Sequence, residues 1–292
     1  MNINDRHNEL NKLEEQSSTL LSNGEFNWSK SQEEVWGELM QKIDKPAKEQ
    51  TKIYHLKSNR LIQYSIAASV ALFIGIAAFM RLYTVSVEVP AGTHQQALLP
   101  DGSSIDLNAG TQISYKPYWW RFNREVNLSG EAFFNVKKGK KFQVVSQNAT
   151  TEVLGTSFNI YARNTNYEVT CITGSVKVTS KENIGIVLKP STSAELVDNG
   201  NFNIAHNINI HSAISWRDNI FVFNAEPIPK VLSEIARQYN VSITAQLDTM
   251  MLYTGNFTRK QEIESVLGYI CPALGLEYSK VDKNTYRIKS CE

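Results

Sequence analysis

Three rhythms of apolar and polar residues divide the chain. The plainest is Leu61 to Met80, LIQYSIAASVALFIGIAAFM, which holds no charged side chain and is flanked by Lys57, Arg60 and Arg81. About 20 helical residues at 1.5 Å each reach roughly 30 Å, the thickness of a bilayer's hydrocarbon core. A backbone in lipid must pair its own N–H and C=O groups, so the pattern predicts one transmembrane helix over 61–80. A secretory signal would be shorter and nearer the start. Ahead of the span the rhythm is helical. Asp5 to Leu21 sets Leu10, Leu13, Leu20 and Leu21 on one side and stops at Ser22-Asn23-Gly24. Ser31-Gln32-Glu33-Glu34 reads as a capping box. The helix it opens lines up Val35, Trp36, Leu39, Met40 and Ile43, with Pro46 beyond its end. Two such helices over 1–44 bury only a marginal core. Their stripe is either a docking face for a partner or the seam between them. Residues 45–60 form a polar, basic linker.

Beyond the span, from 82 to 210, apolar and polar residues alternate in short runs such as Val85-Ser86-Val87-Glu88-Val89 and Val176-Lys177-Val178. Turn residues punctuate them at Pro100-Asp101-Gly102, Asn108-Ala109-Gly110, Ser129-Gly130 and Gly174. Closely spaced strands without helices predict an all-β domain, a sandwich or a solenoid-like stack. Asp101-Gly102 predicts a hairpin turn, both residues tolerating positive φ. A junction around Trp216 follows, and then 220–292 changes period. Ile228, Val231, Leu232, Ile235, Ala236 and Tyr239 lie at helical spacing after Pro227 and end at Asn240. A second helix, with Ile263, Val266, Leu267 and Ile270, is expected to open on a capping box at Thr258–Gln261 and stop at Pro272. With strands at Val241–Ala245, Leu276–Tyr278 and Tyr286–Ile288, the pattern predicts a small α+β domain.

Charge sets the orientation. Lys42, Lys45, Lys48, Lys52, Lys57 and Arg60 precede the span, whereas only Arg81 follows it before Pro100. Basic residues stay inside, so the N-terminus is expected in the cytoplasm and the long C-terminal part across the inner membrane, in the periplasm. Thirty basic against 29 acidic residues, a net charge of +1, argue against a direct nucleic-acid footprint. Cys171, Cys271 and Cys291 form no CxxC pair. Cys171 alternates with Tyr167 and Val169 as a strand core residue, and Cys271 and Cys291 are open to pairing. No phosphate-loop, dinucleotide, nucleophile-elbow or zinc-protease motif occurs, so no catalytic centre, cofactor or metal is expected. Tyr118-Trp119-Trp120-Arg121-Phe122 is an aromatic cluster that suits a binding hot spot, packing between sheets or a sugar platform.

Several motifs then share one order with a known family. Pro100-Asp101-Gly102-Ser103 with Leu107-Asn108-Ala109, Leu128-Ser129-Gly130-Glu131-Ala132-Phe133-Phe134-Asn135-Val136, and Val153-Leu154-Gly155-Thr156-Ser157-Phe158-Asn159 resemble the FecR family of transmembrane anti-sigma factors. Val169 to Val176 resembles the hairpin that follows them. Pro190-Ser191-Thr192 departs from the family's Pro-Gly turn. The C-terminal part is similar to the domain that follows FecR domains, itself akin to the short signalling domain of secretins and TonB-dependent transporters. The resemblance implies a regulator of an extracytoplasmic-function sigma factor, held by the stripe Val35 to Ile43. It also implies a signal from the signalling domain of an outer-membrane TonB-dependent transducer, with release by stepwise proteolysis ending in the bilayer. Some members are cut at the Gly-Thr matched by Gly155-Thr156, where a Thr hydroxyl attacking the preceding carbonyl exchanges an amide for a labile ester. A membrane-anchored periplasmic glycan-binding or scaffolding protein is the alternative, favoured by the aromatic loop.

Overall fold

The computed structural model describes residues 12–18, 29–43, 60–245, 247 and 250–291, so the rest of the first predicted helix and of the basic linker lies outside the described residues. Residues 12–18 are helical, and α1 runs Gln32–Ile43. The capping box closes as expected: Ser31 N–H donates to Glu34 Oε2 (3.1 Å), and Glu34 N–H donates to Ser31 Oγ (3.3 Å). Helix α2, Arg60–Leu82, has 23 residues, and its most apolar 18-residue stretch has a mean hydropathy of 2.0 with no part of that stretch buried. That length and polarity fit a single-pass membrane helix.

Two residues after α2 the chain enters a β sandwich. Its first seven strands are β1 (Val85–Val89), β2 (Gln95–Leu98), β3 (Ser104–Leu107), β4 (Thr111–Tyr115), β5 (Arg124–Asn135), β6 (Phe142–Val145) and β7 (Ala149–Val153). The other six are β8 (Ser157–Arg163), β9 (Asn166–Thr173), β10 (Val176–Ser180), β11 (Gly185–Leu188), β12 (Thr192–Leu196) and β13 (Phe202–His206). One layer orders them β1-β4-β5-β6-β7-β10-β11, the other β2-β3-β5-β8-β9-β12-β13. A single core fills the space between, with Ile113, Val126, Val144 and Val178 from the first layer against Ile105, Phe134, Phe158 and Val169 from the second. The alternating pattern thus resolves into a sandwich, not a solenoid.

Strand β5 belongs to both layers. Its first half pairs with β4 and, in parallel, with β6; its second half pairs with β3 and β8. The change of layer falls at Gly130, which sits inside the strand and not in a turn as the sequence suggests. Its φ is +128°, and a Cβ there would lie 2.5 Å from Thr111 Oγ1 and 2.7 Å from Thr111 Cα. Thr111 uses that space to bond both backbone groups of Glu131 (3.0 and 3.1 Å). Gly130→Ala is expected to cost about 2 kcal/mol in denaturant unfolding, through backbone strain and displacement of Thr111.

Two further expectations change. Gly174-Ser175 joins no hairpin, because β9 pairs with β8 and β12 while β10 pairs with β7 and β11. The chain instead crosses there from one layer to the other. In the β2–β3 turn only Gly102 has positive φ (+77°). Asp101 accepts from Ser103 N–H (2.9 Å) and pairs with Arg124. Its carboxyl is held below the usual range: burial pushes it up, but the Ser103 and Arg124 donors outweigh that. Ser191 takes φ +62°, the left-handed geometry that a Pro-Gly turn would give to glycine.

Past α3 (Ile210–Ile214) and a 3₁₀ turn over Ser215–Asp218 lies the second module. It contains β14 (Ile220–Pro227), α4 (Ile228–Tyr239), β15 (Ser242–Ala245), β16 (Leu252–Thr258), α5 (Ile263–Ala273), β17 (Leu276–Asp282) and β18 (Thr285–Ser290). β14 pairs antiparallel with β16, while β15 (parallel) and β17 (antiparallel) flank β18. Ile228, Val231, Leu232, Ile235, Val266, Leu267 and Ile270 of the two helices meet in its core. Asn240 caps α4 in the left-handed conformation, donating to Ala236 O. The second capping box half-forms: Gln261 Oε1 accepts from Thr258 N–H (3.0 Å), but α5 begins two residues later. Pro272 sits inside the last turn of α5 rather than ending it, and the left-handed Gly275 follows. All three cysteines are free, Cys171 and Cys271 buried and Cys291 exposed.

Candidate functional site

Two places stand out as candidate sites. The first is α1. Val35, Trp36, Leu39, Met40 and Ile43 all lie on its surface, Trp36 63% and Ile43 66% exposed, and no residue of the helix is buried. Leu13 of the preceding helical stretch is 61% exposed as well. Among the described residues the two helices therefore do not cover each other's apolar positions. Lys30 and Glu38 pair across the solvent side (2.5 Å).

The second is the seam between the sandwich and the second module, where a polar network is buried. Glu131, just past the layer change in β5, points its carboxylate at two amides. Asn108 Nδ2 donates to Oε2 (2.8 Å), and Asn159 Nδ2 donates to Oε1 (3.0 Å). Each asparagine passes the link on. Gln238 of α4 donates to Asn108 Oδ1 (2.7 Å), and Trp216 Nε1 donates to Asn159 Oδ1 (3.2 Å). The Gln238 amide also donates to Glu234 (2.8 Å), and Arg237 donates to Glu234 Oε2 (2.5 Å). From the β1–β2 loop, His94 Nε2 lies 3.1 Å from Gln238 Oε1. Because Oε1 can only accept, this is the Nε2–H tautomer. The His94 ring stands edge-on to Trp216 at 5.5 Å. Arg163 donates to the carbonyls of Gly110 (2.7 Å) and Ala109 (2.8 Å), fixing the β3–β4 turn beneath α4.

The electrostatics follow from burial. Glu131 and Glu234 are both fully buried and face each other. Burial and the Glu234 charge push the Glu131 carboxyl up to about 7, against Arg163 and the two amides. Glu234 goes the other way: burial raises it, but Arg237 and Arg163 hold it below the ordinary value. Burial also lowers the pKa of His94. The stable arrangement is one carboxylate, one carboxylic acid and a neutral imidazole, with two guanidinium groups nearby.

The model of the FecR protein family matches residues 85–177, and the model of the FecR C-terminal family matches residues 220–288, together more than half of the chain. The chain belongs to the FecR family. That family is a regulatory, non-enzymatic class. Two crystal structures from Parabacteroides distasonis ATCC 8503, each of a protein provisionally described as an anti-sigma factor, are 28% identical to this chain. The 2.50 Å structure has a TM-score of 0.67 and covers 72% of this chain; the 1.65 Å structure has a TM-score of 0.66 and covers 71%. Both match over their whole length. No curated protein matches the chain.

The FecR motif residues divide in two. Asn108, Glu131, Asn159 and the junction Trp216 converge in the seam. The others shape the FecR domain itself. Leu107, Phe134, Val136 and Phe158 are core residues, with Phe134 stacked on Phe158 at 5.0 Å. Ser103 Oγ accepts from Lys137 N–H (3.0 Å), and Gly102 leaves room for the Lys137 side chain. Leu154 is 63% exposed. A Cβ on Gly155 would lie 2.6 Å from Lys138 Cα, so glycine is required there by contact. Thr156 donates its hydroxyl to Ser175 O (3.1 Å).

Sequence reasoning missed Glu234, Arg237 and Gln238 of the FecR C-terminal domain, together with His94 and Arg163. A signal was present for two of them. Glu234 and Gln238 fall at core-facing positions of α4, in step with Val231 and Ile235, where a polar residue must find a partner.

Proposed function

We propose that this protein is a single-pass inner-membrane anti-sigma factor whose cytoplasmic helix α1 holds an extracytoplasmic-function sigma factor. The observation that carries the reading is the uncovered stripe Val35, Trp36, Leu39, Met40 and Ile43, on the basic and hence cytoplasmic side of α2, in a chain of the FecR family. An amphipathic helix lays such a face into a partner's groove. The FecR domain and its C-terminal companion then stand in the periplasm, over residues 82–210 and 220–292. Their partner is the signalling domain of an outer-membrane TonB-dependent transducer. Strand β17 lines one edge of the three-stranded sheet and offers backbone N–H and C=O groups for an added strand. Release ends with an intramembrane protease acting on α2. Cleavage at Gly155-Thr156 belongs to the same scheme, and a full-length denatured mass unchanged in Thr156→Ala would dismiss that step.

The test has two arms. Residues 1–60 are expected to co-purify with a sigma factor supplied in the same cell. External protease on spheroplasts is expected to digest Phe221–Glu292 and spare residues 1–60. A protected C-terminal domain, or no sigma factor recovered, would overturn the assignment.

A further inference from the structure

We propose that the loop over residues 116–123 is an interfacial membrane anchor that seats the FecR domain flat on the lipid surface beside α2. The inference rests on α2 being a membrane span. Its partner is the headgroup and upper acyl region of an anionic bilayer.

The loop leaves β4, makes a 3₁₀ turn over Pro117–Trp119 and returns to β5. One of its aromatic residues points inward. Trp120 is buried, edge-on to Tyr115 (5.7 Å) and to Phe142 (5.8 Å), and so pins the loop to the sandwich. Tyr118 and Trp119 face the end of α2. Tyr118 lies 6.1 Å from Phe79 and 5.3 Å from Tyr83, ring to ring. The Arg81 guanidinium lies 5.2 Å over the Trp119 ring. Trp119 in turn packs against Phe122, the two rings tilted and 4.6 Å apart. Phe122 is 69% exposed and Tyr118 51% exposed, so this cluster is not a closed core.

Its height on the membrane follows from the helix. Twenty-three residues span roughly 35 Å, a little more than the hydrocarbon core, so Phe79 to Tyr83 fall at the boundary. Any side chain touching them falls there too. Only Tyr83 and Thr84 separate α2 from β1, leaving no slack to lift the sandwich away. Indole and phenol rings prefer that depth, apolar body in the acyl region and polar edge toward water. Lys116, Arg121 and Arg81 are exposed in and beside the loop and supply the positive charge that anionic headgroups attract. A sugar platform needs an open aromatic face, whereas that of Trp119 lies under Arg81 and against Phe122.

The experiment uses the full chain in vesicles of phosphatidylethanolamine and phosphatidylglycerol, with bromine on the acyl carbons nearest the headgroups. Phe122→Trp places an indole at an exposed position that tolerates it. The emission it adds in unbrominated vesicles is expected to be largely lost in brominated ones. Trp119→Phe is expected to remove part of the quenching seen in the wild type. Emission from the new indole that resists brominated lipid but yields to aqueous iodide overturns the proposal, whether or not a soluble glycan then shields it. A carbonate wash separates the two failures. Protein that stays in the pellet with an unquenched indole sinks the anchor alone; protein that washes off sinks the membrane span as well.

Discussion

Glu131→Ala is expected to uncouple the FecR domain from its C-terminal companion and to cost about 3–5 kcal/mol. Alanine removes the acceptor of two buried amides, Asn108 and Asn159, and those same amides carry the links to Gln238 and Trp216. An orphaned buried donor costs about 1–3 kcal/mol, and the vacated volume adds to it. For residues 84–292 a loss of this size lowers Tm by roughly 10 °C. Glu131→Gln should cost less, since it keeps one acceptor while turning a donor toward a donor.

The pH dependence of that stability carries a sign for each group. The folded state raises the Glu131 carboxyl to about 7, so it favours the protonated form. That contribution is complete below the ordinary value and is lost as pH rises through about 7. The carboxyl is fully buried, and ionising it in place costs on the order of 3 kcal/mol. His94 acts at the other end. Its depressed pKa means the fold favours neutral imidazole, a contribution complete above 6.5 and lost as pH falls through the lower folded value. Glu234, also depressed, contributes fully above its ordinary value and is lost as pH falls through its lower folded one, with Arg237 and Arg163 charged throughout. Between about 4.5 and about 7 the Glu131 and His94 contributions therefore oppose each other, that of Glu131 falling with rising pH while that of His94 is regained. Glu131→Gln should abolish the alkaline limb and leave the acid one. A wild-type Tm that does not fall, relative to Glu131→Gln, between about pH 5 and about pH 7 would refute this account.

Such a network was largely illegible in the sequence, for a physical reason. Periodicity reports which face of an element is apolar, but not which elements meet. Asn108 sits in a sequence of turn type, Asn-Ala-Gly, and it does occupy a turn; nothing local says that α4 closes over it. Glu131 reads as an ordinary polar position in an alternating strand until β5 is seen to change layers beside it. The same limit explains Gly130 and Gly174. Glycine marks close approach or positive φ, which turns share with layer changes and crossovers, and the pairing partners are distant in the chain. Features fixed by neighbours three or four residues apart were legible: the Ser31–Glu34 box, the α1 stripe, the long apolar run of α2 and the Asn240 cap. The motif order pointed to the family, and the structure supplies what the motif residues do: some fill the FecR core, and Asn108, Glu131 and Asn159 make the seam.

Trp36→Asp is expected to weaken sigma-factor binding by about 100-fold or more while leaving the helix folded. Trp36 is the largest ring on the α1 stripe, and no described residue covers it. Removing a Trp anchor costs about 2 kcal/mol or more, and burying an unpaired carboxylate in its place adds to that. The fold of α1 itself should be little affected. An exposed Asp for Trp changes helix propensity by only a few tenths of a kcal/mol, and the Ser31–Glu34 cap is untouched. Gln41→Ala, on the same helix but outside the apolar stripe, controls for helix effects and should bind as the wild type does. The readouts are the dissociation constant of residues 1–60 for the sigma factor and transcription from a sigma-dependent promoter. Derepression follows if the protein only inhibits, and silencing follows if the sigma factor also needs it for activity. A scaffold or glycan-binding protein predicts neither, because its cytoplasmic end is only an anchor. An affinity within threefold of wild type, with unchanged transcription, would mean that the stripe binds nothing that governs a promoter, and the anti-sigma reading would fall with it.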